Sequence, residues 1–174
     1  MENLKFENSK IGKTVSVSLY DAAVCSLANQ ASNYLMEQHT AQRIGSLHPN
    51  IAPYGELFST KDEQLITFAI GSDIHFQKLC TFLGLSELKS DKRFEDNPSR
   101  VKNRSVLATL LQEKIEQHST EAIILEMNKQ FVPVGKITPI NEVFEQKKAQ
   151  QLVRKEVIQG KETLRVSQIG FKWE

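Results

Sequence analysis

The chain has 174 residues, which is room for one ordinary domain or for one domain with an appendage. Its 22 basic and 21 acidic side chains leave a formal charge of +1, so neither a polybasic nucleic-acid arm nor an acidic tail dominates it. Apolar residues make up 40% and charged residues 25% of the chain, proportions that exclude wholesale disorder. We therefore expect a globular protein that binds no nucleic acid.

The distribution of apolar residues predicts no membrane segment. No apolar run approaches the ~20 residues that span a bilayer, and Met1 is followed by polar residues rather than by a secretory signal. Cys25 and Cys80 each lie in an apolar helical pattern, which suits free buried thiols in a reducing cytosol. We therefore expect a cytoplasmic protein without a membrane partner.

The first part of the chain predicts one long helix. After a polar start and a brief strand-like alternation at 15–17, Ser18 and Asp21 form the pattern of a capping box. The apolar residues behind them share one helix face as far as about Glu37. Residues 40–53 contain two prolines and a glycine, and therefore predict a loop.

The rest of the chain predicts short strands and amphipathic helices. In chain order, the predicted elements are strands at 54–58 and 64–70, helices that begin near 72, 98 and 119, a short strand at 132–137, a helix at 138–149, and strands at 153–158 and 164–169. Gly84 is expected to end the first of these helices, and the Gly160 region to turn the last two strands.

This order of elements lacks the strict alternation of strand and helix that a parallel sheet requires. We predict an α+β fold, in which a small antiparallel sheet is covered by helices and a long N-terminal helix projects or packs as an arm. The predicted domains are an entry strand and long helix at 1–38, a small α+β domain at 39–137, and a helix with a β-hairpin tail at 138–174.

Few residues form a pattern typical of catalysis or metal binding. The four histidines and two cysteines lack the spacing of zinc ligands, and the sequence has no glycine-rich phosphate loop or nucleophile elbow. Basic and acidic side chains alternate between Glu87 and Arg104, which favours a salt-bridged surface over a phosphate site. The carboxylate pairs at 62–63 and 95–96 are typical of solvated turns. We predict no metal site and identify no catalytic residue.

One segment is more informative, the loop Arg43–Gly55 with the sequence RIGSLHPNIAPYG. It combines glycine, two prolines, histidine, asparagine and tyrosine, so it has a rigid shape without being apolar, as ligand-facing loops often do. Together with five other segments in the same order, it resembles the class III CoA-transferases of the formyl-CoA and carnitine CoA-transferase type. The other segments are 15–23, 71–80, 91–104, 132–135 and 141–144.

The resemblance implies which residues contact substrate. In the family this loop lies over the thioester, which implies five substrate-loop candidates: Arg43, Gly45, His48, Asn50 and Tyr54. The family can carry a run of glycines here, whereas this chain has only Gly45. The chain also has Glu63 and Phe131 where the family has glycine, and Lys136 where it has proline.

The resemblance covers only the second half of the family's chains. The first half is a Rossmann-like part that holds most of the CoA-binding surface and the nucleophilic aspartate. That carboxylate attacks the acyl-CoA carbonyl, forms a mixed anhydride and expels the CoA thiolate. No aspartate of this sequence falls in the matching motif. The resemblance therefore implies a chain that is inactive alone, has no covalently bound cofactor, and binds CoA or acyl-CoA weakly if at all.

Two classes of function follow from the sequence. The chain is either a partial class III CoA-transferase that needs a separate N-terminal half, or a free-standing, non-catalytic binding module that keeps the family fold. Family members are interlocked dimers. Loss of the other half would bare the apolar face of the helix at 19–35 and the strands near Phe171 and Trp173. We therefore expect a homodimer.

Overall fold

The computed structural model describes residue 14 and residues 16–166. The chain divides into two compact units, Met1–Gly45 and Ser46–Glu174. The strands expected near Phe171 and Trp173 and the last residues of the strand expected at 164–169 lie outside the described residues. Ser16 and Val17 belong to neither a helix nor a strand, and Val15 is not described.

The N-terminal unit contains two short helices, α1 (Leu19–Cys25) and α2 (Asn29–Glu37). The cap predicted for the first is confirmed, because Ser18 Oγ accepts a hydrogen bond from the Asp21 N–H at 3.3 Å. The single long helix is not confirmed, because the helical conformation is interrupted at Ala28, where φ is 47° and ψ is −120°. A helix cannot continue through that conformation.

The C-terminal unit is built on a three-stranded antiparallel sheet with the order β1-β2-β3. Its strands are β1 (Tyr54–Ser59), β2 (Leu65–Ala69) and β3 (Val134–Lys136). Tyr54 pairs with Ala69 and Leu57 with Thr67, so β1 carries one extra residue between these pairs. Glu56, two residues before the buried Phe58, lies beside this β-bulge on the buried side of the sheet.

Helices cover the sheet as the sequence predicts. They are α3 (Asp73–Phe82), a 3₁₀ turn at Ser86–Lys89, α4 (Asn97–Lys102), α5 (Arg104–Ile115) and α6 (Thr120–Lys129). The helices α3, α4 and α6 begin with side-chain caps from Ser72, Asp96 and Ser119. Gly84 follows α3 with φ +69°, which is the left-handed conformation that glycine favours after a helix.

The chain then forms two short helices and a hairpin. The helix expected at 138–149 is divided into α7 (Ile140–Val143) and α8 (Lys147–Gln150). The hairpin consists of β4 (Val153–Ile158) and β5 (Lys161–Val166), paired in register from Val153–Val166 to Ile158–Lys161. The predicted α+β class with antiparallel sheets is confirmed.

The core lies between the sheet and its covering helices. Its largest apolar members are Phe58, Phe68, Phe76, Phe94, Ile66, Leu79, Leu107 and Leu111. Cys80 belongs to this core as expected, and burial raises the pKa of its thiol to about 12, so it stays protonated and unreactive. The expectation of burial is wrong for Cys25, which is exposed at the end of α1, a helix that buries none of its residues. Among residues 14 and 16–166, no helix has the length and apolar character needed to cross a membrane.

Candidate functional site

The loop at Ser46–Gly55 is closed by its own hydrogen bonds. The His48 N–H donates to the Tyr54 carbonyl at 2.9 Å, and Ser46 Oγ donates to the Gly55 carbonyl at 2.7 Å. The His48 and Tyr54 rings meet with their centroids 4.9 Å apart, tilted by 50°. These contacts bring the two ends of the loop together at the start of β1.

Two backbone features fix the second half of this loop. The Asn50 N–H donates to His48 Nδ1 at 3.1 Å, which makes that nitrogen an acceptor and places the proton of a neutral imidazole on Nε2. Gly55 has φ +88°, and a Cβ atom there would lie 2.0 Å from the Ser46 carbonyl oxygen. The close approach of the two chain segments therefore requires glycine at this position.

Three side chains from α4 and α5 bind the backbone of the loop. The Asn97 amide binds the loop backbone with both of its polar atoms. Its Nδ2 donates to the Asn50 carbonyl at 2.7 Å, and its Oδ1 accepts from the Ala52 N–H at 3.2 Å. Arg100 Nε donates to the Ala52 carbonyl at 2.9 Å. Arg104 Nη2 donates to the His48 and Ile51 carbonyls at 2.6 and 2.5 Å. We call these three residues, Asn97, Arg100 and Arg104, the loop clamp.

Arg100 is the buried centre of the loop clamp, with 0% of its side chain exposed. It donates to the Phe94 carbonyl at 3.1 Å and to Asp73 Oδ1 at 2.7 Å, and its guanidinium lies 4.6 Å from the centre of the Phe76 ring. A buried charge is tolerated only when it is paired and hydrogen bonded, and all three nitrogens of this guanidinium have partners.

Arg104 also forms an ion pair with the bulge residue of β1. Its Nε lies 3.3 Å from Glu56 Oε1, and the Glu56 side chain is only 8% exposed. The other carboxylate oxygen, Glu56 Oε2, is buried without a hydrogen-bond partner among the described residues. The Glu56 carboxylate therefore depends on Arg104 for its charge compensation.

The structure brings together three of the five residues predicted from the sequence. His48, Asn50 and Tyr54 share the clamped loop, whereas Arg43 and Gly45 are exposed residues of the N-terminal unit. Gly45 has φ +66°, and a Cβ atom built there meets nothing within 4 Å.

Sequence reasoning missed the loop clamp and Glu56. The interpretation of 87–104 as a salt-bridged surface is correct for the exposed Asp91–Arg93 pair, joined at 2.7 Å. It is wrong for Arg100, which is buried, and for Arg104, which is mostly buried. The available signal is the spacing of Asn97, Arg100 and Arg104, which places three polar groups on one side of consecutive helical turns.

The aspartates of the C-terminal unit all have structural partners. Asp62 binds the start of α6, Asp73 pairs with Arg100, Asp91 pairs with Arg93, and Asp96 caps α4. Within the described ranges, no three His, Cys, Asp or Glu side chains are grouped as a metal ion would require.

Comparison with known proteins identifies the family. The model of CoA-transferase family III matches residues 4–174. The chain belongs to this family. It is 32% identical over 133 residues to the succinate–glutarate CoA-transferase of Agrobacterium fabrum, and 33% identical over 140 residues to the human succinyl-CoA:glutarate CoA-transferase. These matches cover 76% and 80% of this chain, but 33% and 31% of the relatives.

A solved structure supports the same assignment. The chain is similar to a CAIB/BAIF family protein from Brucella suis, with a TM-score of 0.67 and 36% identity, over 97% of this chain and 44% of that one. The resemblance to class III CoA-transferases is therefore confirmed. The chain spans about a third of the length of the curated relatives it matches.

Proposed function

We propose that this chain is the loop-bearing part of a class III CoA-transferase and acts on a CoA thioester only together with a separate N-terminal half. The observation that carries the proposal is the clamped Ser46–Gly55 loop, in a chain that belongs to this family and spans about a third of its relatives. The two relatives from Agrobacterium fabrum and human are named as CoA-transferases of succinate and glutarate, both small carboxylic acids.

The chemistry of the loop suits the oxygens of an acyl group or a carboxylate acceptor. The His48 imidazole and the Tyr54 hydroxyl are groups that donate hydrogen bonds, and a thioester carbonyl and a carboxylate are both acceptors. Asn50 adds an amide to the same loop, and Arg43 brings a guanidinium that can pair with a carboxylate or phosphate. Gly45 gives the chain ahead of the loop its left-handed turn. We expect CoA or acyl-CoA to be a weak ligand of the isolated chain, and no covalently bound cofactor.

The isolated chain is expected to lack transferase activity. The nucleophile that the family resemblance implies is an aspartate of the first half. Asp62, Asp73, Asp91 and Asp96 are already engaged in helix caps and ion pairs. A carboxylate that accepts such hydrogen bonds is a weaker nucleophile than one left to attack a thioester. We place this reaction in the cytoplasm, where thiols such as Cys80 stay reduced.

We also propose that the chain forms a homodimer through its N-terminal unit. Neither α1 nor α2 buries any of its residues within that unit, and α2 exposes Tyr34, Leu35 and Met36. Exposed apolar side chains in such numbers are typical of a surface that is covered in the assembled protein.

Calorimetric titration tests the proposed function. Acetyl-CoA is titrated into the full chain alone, and then into the chain mixed with the N-terminal half of a family III relative. Binding that is at least about tenfold tighter in the mixture, together with CoA exchange between acetyl-CoA and a carboxylate acceptor, supports the proposal. Exchange by the chain alone contradicts the expected inactivity. Absence of any gain in the mixture favours the non-catalytic binding module.

A further inference from the structure

The loop clamp holds the Ser46–Gly55 loop through its backbone and leaves the side chains of that loop to other contacts. The carbonyls of His48, Asn50, Ile51 and Ala52 all accept hydrogen bonds from clamp residues. Because a carbonyl exists at every residue, such contacts set the path of the chain whatever its side chains are. A loop held this way keeps a fixed shape while its side chains face a ligand.

Arg104 differs from the other two clamp residues in that a single nitrogen atom contacts two carbonyls of the loop. One of its nitrogens, Nη2, reaches two carbonyls that are three residues apart, those of His48 and Ile51, and thereby closes the His48–Asn50 turn. The Asn50 N–H donates to the His48 ring inside that same turn. Arg104 therefore controls the path of the backbone that carries the His48 imidazole.

Glu56 explains why the Arg104 guanidinium is oriented towards the loop. Glu56 lies on the buried side of β1, beside the β-bulge, and its Oε1 pairs with Arg104 Nε at 3.3 Å. With Nε turned to Glu56, the planar guanidinium presents Nη2 to the two carbonyls. The exposed fractions of 15% for Arg104 and 8% for Glu56 mean that little water competes for these contacts.

We infer that Arg104 is the positioning residue of the loop, and that Glu56 acts through it by orienting its guanidinium. Together they set the His48–Asn50 turn in the shape that receives the acyl part of the ligand. The substrate role rests on the proposed function, whereas the control of the loop conformation rests on the contacts alone.

Amide hydrogen exchange of the full chain tests the conformational part. In Arg104→Lys the charge remains, but an ammonium group cannot pair with Glu56 and reach both carbonyls in the same geometry. Exchange at the His48, Asn50 and Ala52 amides should rise by about 10- to 100-fold. Exchange in β2 should not change, and Glu56→Gln should give a smaller rise at the same loop amides. Arg93→Lys is the matched control, because Arg93 is 55% exposed and pairs only locally with Asp91.

Two results of this experiment would overturn the inference. Unchanged loop amides in Arg104→Lys would show that the guanidinium does not hold the turn. An equal rise in the loop and in β2 would show a general loss of stability instead of positioning.

Titration with acetyl-CoA and with CoA, in the presence of the N-terminal half, tests the substrate part. If the wild-type chain binds neither ligand, the proposed function fails while the exchange data still decide the role of Arg104. If it binds both, Arg104→Lys should weaken acetyl-CoA binding by about tenfold and CoA binding much less, because only acetyl-CoA has an acyl group for the loop. An equal effect on the two ligands would overturn the substrate role.

Discussion

Asp62 Oδ1 accepts two hydrogen bonds from Thr120, one from its backbone N–H at 2.8 Å and one from its hydroxyl at 2.9 Å. The two residues are 58 positions apart, and the contact joins the turn after β1 to the first turn of α6. The Thr60 hydroxyl donates to the same oxygen at 2.8 Å. The Asp62 carboxylate is thus surrounded by hydrogen-bond donors at the positive end of a helix dipole.

Because the Asp62 carboxylate accepts these hydrogen bonds, the free energy of unfolding depends on pH under acidic conditions. The Thr120 N–H, followed by the Thr60 hydroxyl, lowers the pKa of Asp62 from 3.8 to about 2. Because the folded-state pKa is depressed, the stabilisation is fully present above the ordinary pKa and is lost as the pH falls through about 2. Asp62→Asn should therefore be less stable than the wild type at about pH 5, with a difference that shrinks towards about pH 2. Urea unfolding across this range measures it, and a difference independent of pH would contradict the expectation.

Arg100 should be among the most sensitive positions of the C-terminal unit. Arg100→Met keeps the aliphatic stem but leaves the Ala52 and Phe94 carbonyls without their donor. We expect a loss of about 3 kcal/mol in the free energy of unfolding, measured by urea denaturation. Arg93→Met removes an exposed arginine of the same region and should cost less than about 0.5 kcal/mol. Similar losses for the two variants would mean that the buried network contributes little.

Glycine can be required by a positive φ or by the close approach of another chain segment, and Gly55 and Gly84 allow these two reasons to be compared. Both have positive φ, +88° and +69°, but only Gly55 faces another chain segment, the Ser46 carbonyl. Gly84→Ala should cost about 1 kcal/mol from backbone strain alone. In Gly55→Ala the new Cβ atom also overlaps with the Ser46 carbonyl oxygen, so the start of the loop must move. This variant should therefore cost at least about 2 kcal/mol more than Gly84→Ala. Thermal unfolding of both variants compares them, and equal costs would rule out the close approach.

Phe131 offers a stabilising substitution. It follows α6 with φ +57°, its side chain is 84% exposed, and it stands where the family resemblance implies glycine. Phe131→Gly relieves the left-handed strain and removes little buried surface, so we expect a gain of about 0.5–1 kcal/mol in the free energy of unfolding. Glu63→Gly, also at φ +57°, should act in the same direction. As a control, Ala122→Gly at an exposed position inside α6 should lose about 1 kcal/mol. A loss in Phe131→Gly would contradict the argument.

The proposed homodimer has its own test in light scattering. The wild-type chain should show twice the mass of one chain, because the exposed apolar residues of α2 are covered in the pair. Leu35→Glu, at a position that is 71% exposed, should return the mass to that of one chain. Lys102→Glu, on the exposed side of α4, should leave the dimer intact. A wild-type mass of a single chain at tens of micromolar would end the proposal.

The features that depend on neighbouring residues can be predicted from the amino-acid sequence alone. The cap at Ser18, the helix end at Gly84 and the strands β1 and β2 were all predicted, because each depends on residues within one turn or one strand. The sequence also identified the loop that contains His48 and Tyr54, through a family resemblance that the comparisons confirm.

Which charged residues are structural depends on contacts between distant parts of the chain. Residue type alone does not separate Arg100 and Arg104 from the exposed Arg93. Arg100 and Arg104 contact Ala52 and His48, which lie 48 and 56 positions away. The break at Ala28 and the bulge between Tyr54 and Leu57 are likewise invisible to helical or strand periodicity. Local preferences amount to fractions of a kcal/mol per residue, whereas an unpaired buried charge costs several, so distant partners decide where each charged side chain lies.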